Sequence, residues 1–579
     1  MNVLGIKPSL SNGTPLKGGG RHDAGACLVR DGEIVAAAEE ERFTRNKHAL
    51  DEFPHFSIEY VLDAADLSLA DIDVIGIGRD RSNRTKLLRD APAEHLVPTS
   101  PTDLFSLFRE VSTQVAVRRG VHVDLVDREI HRGHPATSPP TGAFTGTYET
   151  VSHHRCHAAS AAYCADADRP VVVTVDARGE HDSTVLWDRD LRRVKTFSAA
   201  NSIGVFYAAG VNYLGYPRGW DAGKVMGLAS HGEYRERFDA GFDSLVEVGG
   251  GEYDVTAITD ASDPVGVLED TFGPRRPPTD EFSQRHRDFA HHLQSTTERI
   301  VTHLVDSHLA DVGHDRLALA GGVALNCKLN REIRRLDRVA SLFVQPAAND
   351  SGLCLGAALE AVSRASGARP DPTFDTVYYG PGYDTAAIES ALTTANVDYE
   401  SVADPAVRAA ALLAEGNVIG WFQGRMEFGP RALGNRSILA NPTAQAYADE
   451  VNRGVKHRES WRPFAPSILD DHRSEYLSDG AAYPYMIVLD SVPEAKREEV
   501  PAVTHVDGTT RPQTVSKADN PRYYDLIEAF HRHTGVPVVL NTSFNVSGQP
   551  IVESPEQALS TFYSTGLDAL VIGEYLLTK

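Results

Sequence analysis

Short apolar segments that each run into a small, polar or acidic loop recur along this chain, and they constrain its fold more than any other feature. Val3–Ile6 is apolar, Val171–Val175 is apolar and ends in Asp176, and Leu317–Ala320 runs into Gly321-Gly322. Continuous apolar runs of this length are typical of strands buried on both faces, and ligands bind at the carboxyl ends of such strands. The repetition predicts a nucleotide-binding α/β core with a duplicated half.

Local patterns place further elements around these strands. Ala24–Val29 and Glu33–Ala38 flank an Asp-Gly pair, which predicts a hairpin because Asp-Gly favours a two-residue turn. Apolar residues at helical spacing predict helices over 55–68 and 286–310, and we expect the histidines of the second helix to form a solvated face. Arg132–Thr150 is rich in Pro, Ser, Thr and Gly and is predicted to be a loop.

The chain length of 579 residues exceeds what one hydrophobic core organises, so two or more domains are expected. Linker-like composition at 364–376 places the boundary there, with one domain over 1–368 and a second α/β domain over 369–579. No run of about 18 apolar residues occurs, and Met1–Ile6 is predicted to be a first strand and not a signal peptide. The sequence therefore predicts a cytoplasmic protein without a membrane span. Its scattered cysteines indicate neither disulfides nor a thiolate zinc site.

His153 and His157 lie four residues apart, so on a helix both side chains project from one face, as a shared metal requires. A zinc protease would need a glutamate directly after the first histidine, and His154 occupies that position. Asp176 and Asp350 lie in loops that follow apolar segments and could complete a ligand set. Two histidines and two carboxylates suit Fe(II), Mn(II) or Zn(II), although the histidine pair alone is also compatible with a structural helix.

Three further segments suit a nucleotide or a proton transfer. The pair His22-Asp23 follows a glycine-rich loop and could supply a general base or form a turn. Lys47 lies in a charged run after the hairpin and could meet a phosphate or belong to a solvated face. Gly321-Gly322 and Ser202-Ile203-Gly204 could let backbone N–H groups approach a phosphate.

Cations, glycine, proline and asparagine concentrate in the last third of the chain. The motifs are GPRALGNRS (429–437), KHR (456–458), WRPFAP (461–466), His505, RPQT (511–514) and NTSFN (541–545). The net charge is −23, so these motifs are predicted to converge on a small polyanion such as a triphosphate or an acyl phosphate. A nucleic-acid patch is the alternative, but it would need more interleaved aromatic residues and less acid elsewhere.

Together these motifs resemble the O-carbamoyltransferase family that includes nodulation, cephamycin, tobramycin and ansamycin carbamoyltransferases. The resemblance runs from Val3 to Thr578, and its blocks occur in the family's order: HDAGACLVRDG (22–32), AEEERFTRNKH (38–48), HHRCHAAS (153–160), GKVMGLASHG (223–232), GPRALGNRS (429–437), WRPFAPS (461–467), TRPQTV (510–515) and NTSFN (541–545). The resemblance implies an α/β fold, with an N-terminal actin/Hsp70/sugar-kinase-like (Kae1-like) duplicated domain followed by a YrdC-like α/β domain.

The resemblance also implies an activity. In such enzymes the C-terminal site converts carbamoyl phosphate and ATP into carbamoyl-adenylate and pyrophosphate. At the N-terminal site an acceptor hydroxyl takes the carbamoyl group, and AMP leaves. The chain is thus expected to be an ATP-dependent O-carbamoyltransferase of antibiotic or other natural-product tailoring. Its expected co-substrates are carbamoyl phosphate and ATP with Mg(II), and its expected metal by resemblance is Fe(II).

Roles follow from positions in the matched motifs. His22 is the expected base, and His153, His157, Asp176 and Asp350 are the expected metal ligands. The residues expected to bind the adenylate, the nucleotide or carbamoyl phosphate are Lys47, Gly204, Gly322, Asn326, Arg431, Lys456, Arg462, His505, Arg511, Asn541 and Ser543.

The loop Lys7–Arg21 is longer than in the aminoglycoside-type members, which predicts a bulky acceptor such as a macrocyclic polyketide or its sugar. The expected partner is this small-molecule hydroxyl acceptor, with no nucleic acid and no membrane, and a homodimer is one candidate state. Two alternatives stay open. A threonylcarbamoyl-type tRNA modification enzyme would need a basic docking face, and a non-catalytic actin/Hsp70-like nucleotide-binding module would have no use for the cationic motifs.

Overall fold

The computed structural model describes residues 1–9, 22–78, 121–133, 142–165, 169–217, 219–459 and 461–579. The strands in chain order are β1 (Asn2–Lys7), β2 (Gly25–Arg30), β3 (Glu33–Glu39), β4 (Val74–Gly78), β5 (Thr147–Val151), β6 (Val171–Val175), β7 (Asp182–Trp187), β8 (Arg193–Ser198), β9 (Glu247–Gly249), β10 (Glu252–Asp254), β11 (Arg316–Ala320), β12 (Ser341–Val344), β13 (Glu400–Ser401), β14 (Ile419–Phe422), β15 (Arg436–Ala440), β16 (Ala465–Leu469), β17 (Asp490–Ser491), β18 (Thr509–Thr510), β19 (Gln513–Val515), β20 (Val538–Ser543), β21 (Ala569–Ile572) and β22 (Tyr575–Thr578).

The α-helices of the same residues surround the sheets. They are α1 (Glu41–Thr44), α2 (His55–Asp63), α3 (Val121–Arg132), α4 (His153–Cys164), α5 (Ile203–Tyr213), α6 (Ala222–Leu228), α7 (Glu236–Asp243), α8 (Thr256–Thr259), α9 (Pro264–Phe272), α10 (Gln284–Val312), α11 (Cys327–Arg334), α12 (Leu353–Ser366), α13 (Thr385–Ala395), α14 (Pro405–Ala414), α15 (Gln445–Glu450), α16 (Arg473–Tyr476), α17 (Glu494–Arg497), α18 (Pro521–Thr534) and α19 (Pro555–Tyr563). Among the described residues, no helix is both long enough and apolar enough to cross a bilayer.

Two five-stranded sheets have the same strand order when the second one is taken in reverse. The first is β3-β2-β1-β4-β5, in which β1 pairs antiparallel with β2 and parallel with β4. The second is β12-β11-β6-β7-β8, in which β6 pairs antiparallel with β7 and parallel with β11. Each sheet thus begins with an antiparallel meander and ends with two parallel strands reached by crossovers. The predicted α/β class is confirmed.

The predicted hairpin joins β2 to β3. Asp31 and Gly32 both have positive φ (53° and 91°), as a two-residue turn between twisted strands requires. Downstream, the third sheet has eight strands in the order β13-β22-β21-β14-β15-β20-β16-β19. It mixes parallel pairs such as β14–β21 with antiparallel pairs such as β14–β15. This sheet carries most of the cationic motifs at its strand ends.

Two local predictions were wrong. Arg132–Thr150 is not all loop, because α3 ends at Arg132 and β5 starts at Thr147. Among the described strands β5 bonds only to β4, at the sheet edge, so its half-exposed side chains lack the apolar run that marks a buried strand. The histidines of α10 are not all solvated either. His292 and His308 are buried, where they accept from Arg235 N–H and contact the Trp187 carbonyl, respectively.

Glycines let α12 pack against both β1 and α4. A Cβ on Gly5 of β1 would lie 2.0 Å from the Cys354 carbonyl oxygen, and one on Gly356 of α12 would lie 1.9 Å from the Cys156 carbonyl oxygen. Real Cβ atoms do not approach backbone oxygens so closely, so the absence of a side chain sets the spacing between these elements. Because α4 carries both metal-candidate histidines, this spacing also positions them.

Gly356→Ala should therefore lower the free energy of unfolding by about 1–3 kcal/mol or more, the usual cost of overpacking a core. Chemical denaturation of the purified chain measures it. Gly249→Ala is the matched control, since a Cβ there meets nothing within 4 Å. An unchanged unfolding midpoint in Gly356→Ala would show that α4 and α12 are not held at contact distance.

Candidate functional site: a metal centre and a cationic cluster

Four buried side chains, His153, His157, Asp176 and Asp350, converge where β6 ends and α4 and α12 begin. The Nε2 atoms of His153 and His157 lie 3.2 Å apart, and Asp176 Oδ2 lies 2.7 Å and 3.2 Å from them, respectively. Asp350 Oδ1 lies 3.6 Å and 3.7 Å from the same two nitrogens. The donor atoms all fall within 4.8 Å of one another. The structure thus brings together all four predicted metal ligands.

The donor set of this cluster fits a divalent cation. Two neutral imidazoles and two carboxylates carry a charge of −2, which an M²⁺ ion neutralises in a buried site. Lys7 Nζ lies 3.3 Å from Asp350 Oδ2, which leaves Oδ1 directed towards the histidines. His154 takes no part. It bonds to Thr174 Oγ1 (2.9 Å) and to a main-chain carbonyl, and burial lowers its pKa to about 3.

Glycines bring neighbouring loops close to Asp176. Gly321 has φ +97°, and a Cβ there would lie 2.2 Å from the Val175 carbonyl oxygen. A Cβ on Gly322 would lie 3.0 Å from Asp176 Oδ1, and one on Gly204 would lie 2.6 Å from Ala177 Cα. Both predicted cofactor-binding glycines therefore line the loop that carries Asp176.

Asn326 also lies nearby, but the protein itself uses its amide. Its Nδ2 donates to Gln294 Oε1 (3.0 Å), and its Oδ1 accepts from Gln294 Nε2 (3.0 Å) and from Leu329 N–H at the start of α11 (3.1 Å). In this arrangement Asn326 caps a helix and joins α11 to α10.

His22 belongs to a second constellation beside the metal candidate. Asp23 bonds through Oδ2 to His22 Nδ1 (3.0 Å) and to Asn349 Nδ2 (3.0 Å), and through Oδ1 to His48 Nδ1 (3.1 Å). These bonds outweigh burial and hold the pKa of Asp23 well below its usual range. Burial alone would lower the pKa of His22, but Asp23 and Asp350 raise it overall.

The surroundings of His22 connect it to His48 on one side and to the metal candidate on the other. Trp220 stacks on His48 at 4.4 Å and meets His22 edge-on at 5.2 Å between ring centroids. Lys7 Nζ donates to the His22 carbonyl as well as approaching Asp350. Sequence reasoning missed His48, although it ends the motif that contains Lys47. It also missed Asn349, which precedes Asp350, and Trp220, for which the sequence carries no signal.

Five cations gather at the ends of the third sheet: Arg431, Lys456, Arg458, Arg462 and Arg511. Burial and the nearby charge of Arg511 together lower the pKa of Arg431 to about 9, and burial, Arg462 and Arg511 together lower that of Arg458 to about 9. Burial also lowers the pKa of Lys456 far below its usual range, and Arg458 and Arg462 add to the effect. This set includes Arg458, which lies in the predicted KHR motif (456–458) but was not among the individually expected binding residues.

Several of these cations have spare hydrogen-bond donors. Among the described residues, Nε of Arg431, Nη2 of Arg458 and Nε of Arg511 are buried without a hydrogen-bond partner. Buried donors are nearly always paired in native proteins, and like charges in contact oppose folding. An anion with several oxygens would satisfy the donors and cancel the repulsion. The three arginines therefore form a candidate polyanion site.

Other predicted residues of the cationic motifs support the structure around this site. Lys456 Nζ donates to the carbonyls of Ser543 and Asn545, and Ser543 Oγ donates to Asn545 Oδ1 (2.7 Å). Asn541 Nδ2 faces three oxygens, those of the Ala432 carbonyl, Ser467 Oγ and Gln513 Oε1, at 3.0–3.2 Å.

A cavity of about 110 Å³ opens beside the cluster. Its walls include Arg462, His505 and Phe464 from the third-sheet region and His231 from the first part of the chain. His505 contacts Thr509 Oγ1 through Nδ1 (3.1 Å), and burial lowers its pKa to about 4, so it is neutral near pH 7. The cavity thus lies between residues of both halves.

Lys47 faces this cluster. Burial lowers its pKa, and the charges of Arg462 and Lys224 contribute to the lowering. Its neighbour His48 contacts Asp23, in the constellation of His22 beside the metal candidate. Lys47 thus lies near the cationic cluster and His48 near the metal candidate, so one short segment of the chain borders both candidate centres.

The chain matches two family models. Carbamoyltransferase N-terminus matches residues 16–359, and Carbamoyltransferase C-terminus matches residues 410–579. The chain therefore belongs to the carbamoyltransferase family, and the predicted resemblance is confirmed. It is an enzyme, a transferase of carbamoyl groups.

Individual relatives agree with the family models. The chain is 39% identical to Nodulation protein NolNO of Sinorhizobium fredii, over all of this chain and 83% of that protein. It is 35% identical to the 3'-hydroxymethylcephem-O-carbamoyltransferase of Amycolatopsis lactamdurans, over 45% of this chain and 48% of that one. Among solved structures, component A of the (R)-2-hydroxyglutaryl-CoA dehydratase of Acidaminococcus fermentans aligns with 16% identity and a TM-score of 0.32, covering 63% of this chain and 99% of that one.

Proposed function

We propose that this carbamoyltransferase is ATP-dependent and uses two centres in sequence, activating carbamoyl phosphate in the region 369–579 and delivering the carbamoyl group to a hydroxyl in the region 1–368. The observation that carries the proposal is a set of half-buried arginines, Arg431, Arg458 and Arg511, each with a buried N–H group that has no partner among the described residues. A multiply charged anion would pair with these donors and offset the repulsion between the guanidinium groups, and carbamoyl phosphate and ATP are both such anions.

In the first step, water cleaves carbamoyl phosphate to carbamate and phosphate. A carbamate oxygen then attacks the α-phosphorus of ATP, and pyrophosphate leaves, which forms carbamoyl-adenylate. The arginines hold the phosphate oxygens and stabilise the charge that develops on them. Lys47 contributes a further positive charge where the segment after β3 meets the cluster. Enclosure between the two halves keeps water from the mixed anhydride.

In the second step, the acceptor hydroxyl gives its proton to His22, its oxygen attacks the carbamoyl carbon, and AMP leaves. Asp23 orients His22 through Nδ1, so Nε2 is the free atom that can take the proton. A divalent metal held by His153, His157, Asp176 and Asp350, for which we propose Fe(II), would polarise phosphate oxygens of the adenylate. Gly204 and Gly322 leave room for the nucleotide beside Asp176.

We infer the finer architecture from the same observations. The identical strand orders of the two five-stranded sheets support a duplicated actin/Hsp70-like N-terminal domain, and the separate family matches on either side of 364–376 support the proposed boundary. A YrdC-like C-terminal domain, Mg(II) with ATP, a cytoplasmic location and a small-molecule acceptor complete the proposal. The loop behind the macrocyclic-acceptor prediction lies largely in 10–21, outside the described residues.

One experiment separates the two steps. The enzyme is incubated with ATP, carbamoyl phosphate, metal and a panel of macrolides, aminoglycosides and a hydroxymethylcephem. Wild type should release pyrophosphate and add the mass of one carbamoyl group in place of hydrogen to an acceptor. His22→Ala should still release pyrophosphate but form at least about 10²-fold less carbamate product, since general-base catalysis contributes about 10²- to 10⁴-fold.

Two outcomes would count against the proposal. Wild type that releases no pyrophosphate from ATP and carbamoyl phosphate would remove the activation step. An equal loss of both products in His22→Ala would show that the two centres do not divide the reaction as described.

A further inference from the structure

We propose that Glu39 and Arg42, in the first part of the chain, are positioning residues for Arg431 of the activation centre. This inference rests on the proposed function, in which Arg431 binds a phosphate-bearing substrate. Glu39 and Arg42 belong to the charged motif AEEERFTRNKH, which also contains Lys47 and His48.

Glu39 and Arg42 close a ring of hydrogen bonds around the main chain of one residue, Gly429. Glu39 Oε1 accepts from Gly429 N–H (2.9 Å) and from Arg42 Nη2 (3.1 Å). Arg42 Nη2 also donates to the Gly429 carbonyl (3.0 Å). Glu39 and Arg42 are 4% and 3% exposed, so water does not compete for these bonds. We call this ring the Gly429 clamp.

The Gly429 clamp holds one end of the loop that carries Arg431. Gly429 has φ +116°, a conformation that favours glycine. The ring of Pro430 restricts the next φ. The direction of the chain into Arg431 therefore depends on how the main chain of Gly429 is held. The other end is held by Glu427, whose Oε1 accepts from Leu433 N–H (2.7 Å) and Asn435 N–H (2.9 Å). The loop is thus fixed on both sides of Arg431.

Electrostatics explains why the loop needs such anchors. Arg431 and Arg511 lie close together, and burial and this repulsion both lower the pKa of Arg431. Without an anchor, repulsion would move Arg431 away from the site whenever the anion is absent. Arg42 also pairs with a second carboxylate, because Glu41 Oε1 lies 2.8 Å from Arg42 Nη1. The N-terminal part thus preorganises an arginine that serves the C-terminal reaction.

The variant Arg42→Met removes the two clamp hydrogen bonds that Arg42 donates, and Arg45→Met is its matched control. Arg45 also donates to main-chain carbonyls of the C-terminal part, those of Ile551 (2.6 Å) and Pro550 (2.8 Å), but does not contact Gly429. Both are tested in the full chain for pyrophosphate release, for binding of inorganic phosphate by calorimetry, and for thermal unfolding.

For Arg42→Met we expect KM for carbamoyl phosphate and Kd for phosphate to rise about 10- to 100-fold, because a misplacement of about 1 Å costs on the order of 10²-fold. Arg42→Lys, which keeps the charge and one donor, should recover part of the loss, and Arg45→Met should bind phosphate like wild type.

Unchanged phosphate binding in a folded Arg42→Met protein would overturn the inference. Equal losses in Arg42→Met and Arg45→Met, together with lower thermal stability, would overturn it too, since they would indicate a general role at the interface. If wild type binds phosphate but releases no pyrophosphate, the proposed function fails, and the contrast in phosphate binding still decides the positioning role.

Discussion

Arg431→Ala is expected to reduce pyrophosphate release from ATP and carbamoyl phosphate by at least about 10²- to 10³-fold, the typical cost of removing one preorganised donor that stabilises developing charge. Arg431 is partly shielded from solvent, its Nε has no partner among the described residues, and Arg511 lies close enough to lower its pKa. Its buried Nε–H is therefore left to pair with an anion. A continuous assay of pyrophosphate measures the loss.

A second expected result concerns the free energy of unfolding of the Arg431→Ala variant. An unpaired guanidinium held near a second one opposes folding, so the free energy of unfolding should stay the same or rise when it is removed. Arg453→Ala is the control, because its side chain is 80% exposed and pairs only with Glu450 among the described residues. Near-normal pyrophosphate release in Arg431→Ala, or an equal loss in Arg453→Ala, would contradict the assignment of the cluster.

His157→Ala is expected to lower the bound metal from one ion per chain to near zero, with affinity reduced by more than about 100-fold. Loss of a residue that only orients a ligand already costs about 10- to 100-fold, and His157 supplies a donor directly. Metal content after loading with Fe(II), Mn(II) or Zn(II) and desalting is read by elemental analysis. Loading should also raise the thermal midpoint of wild type, since a ligand at 100 times its Kd stabilises by about 2.7 kcal/mol.

His154→Ala provides the contrast, because His154 lies on the same helical turn but faces Thr174 and the Asp182 carbonyl. Its loss leaves buried polar groups unpaired and should lower stability by about 1–3 kcal/mol, while one ion per chain is retained. The metal assignment would be wrong if His157→Ala kept its full metal content. It would also be wrong if wild type took up none of the three ions.

Much of the fold was predictable because its signals are local. The Asp-Gly pair at 31–32 determines a turn through its own backbone preferences, and the apolar run Val171–Val175 needs burial on both faces wherever it lies. β5 was missed because an edge strand needs no apolar run. The buried His292 and His308 of α10 were missed because their burial depends on what packs over the helix.

The candidate site likewise contains some residues that the local sequence predicts and others that only the packing of distant elements brings together. The spacing of His153 and His157 predicts one helical face, the loop positions of Asp176 and Asp350 made them candidates, and the resemblance to the family singled them out as ligands. The partners of Asp23 could not be predicted in this way, since Asn349 lies far along the chain and His48 meets Asp23 only because of the path that the hairpin and α1 take.

By itself, the sequence determined which chemical groups the protein has and which of them share a helix or a loop, because backbone preference and periodicity act over a few residues. It therefore determined the family, the histidine pair and the cationic motifs. Only the tertiary structure decided which groups meet across hundreds of residues. The three-fold contact of Asp23, the unpaired donors of Arg431 and Arg511, and the Gly429 clamp all depend on packing between distant elements. No short stretch of the chain encodes such contacts, because their energy exists only once the elements are assembled.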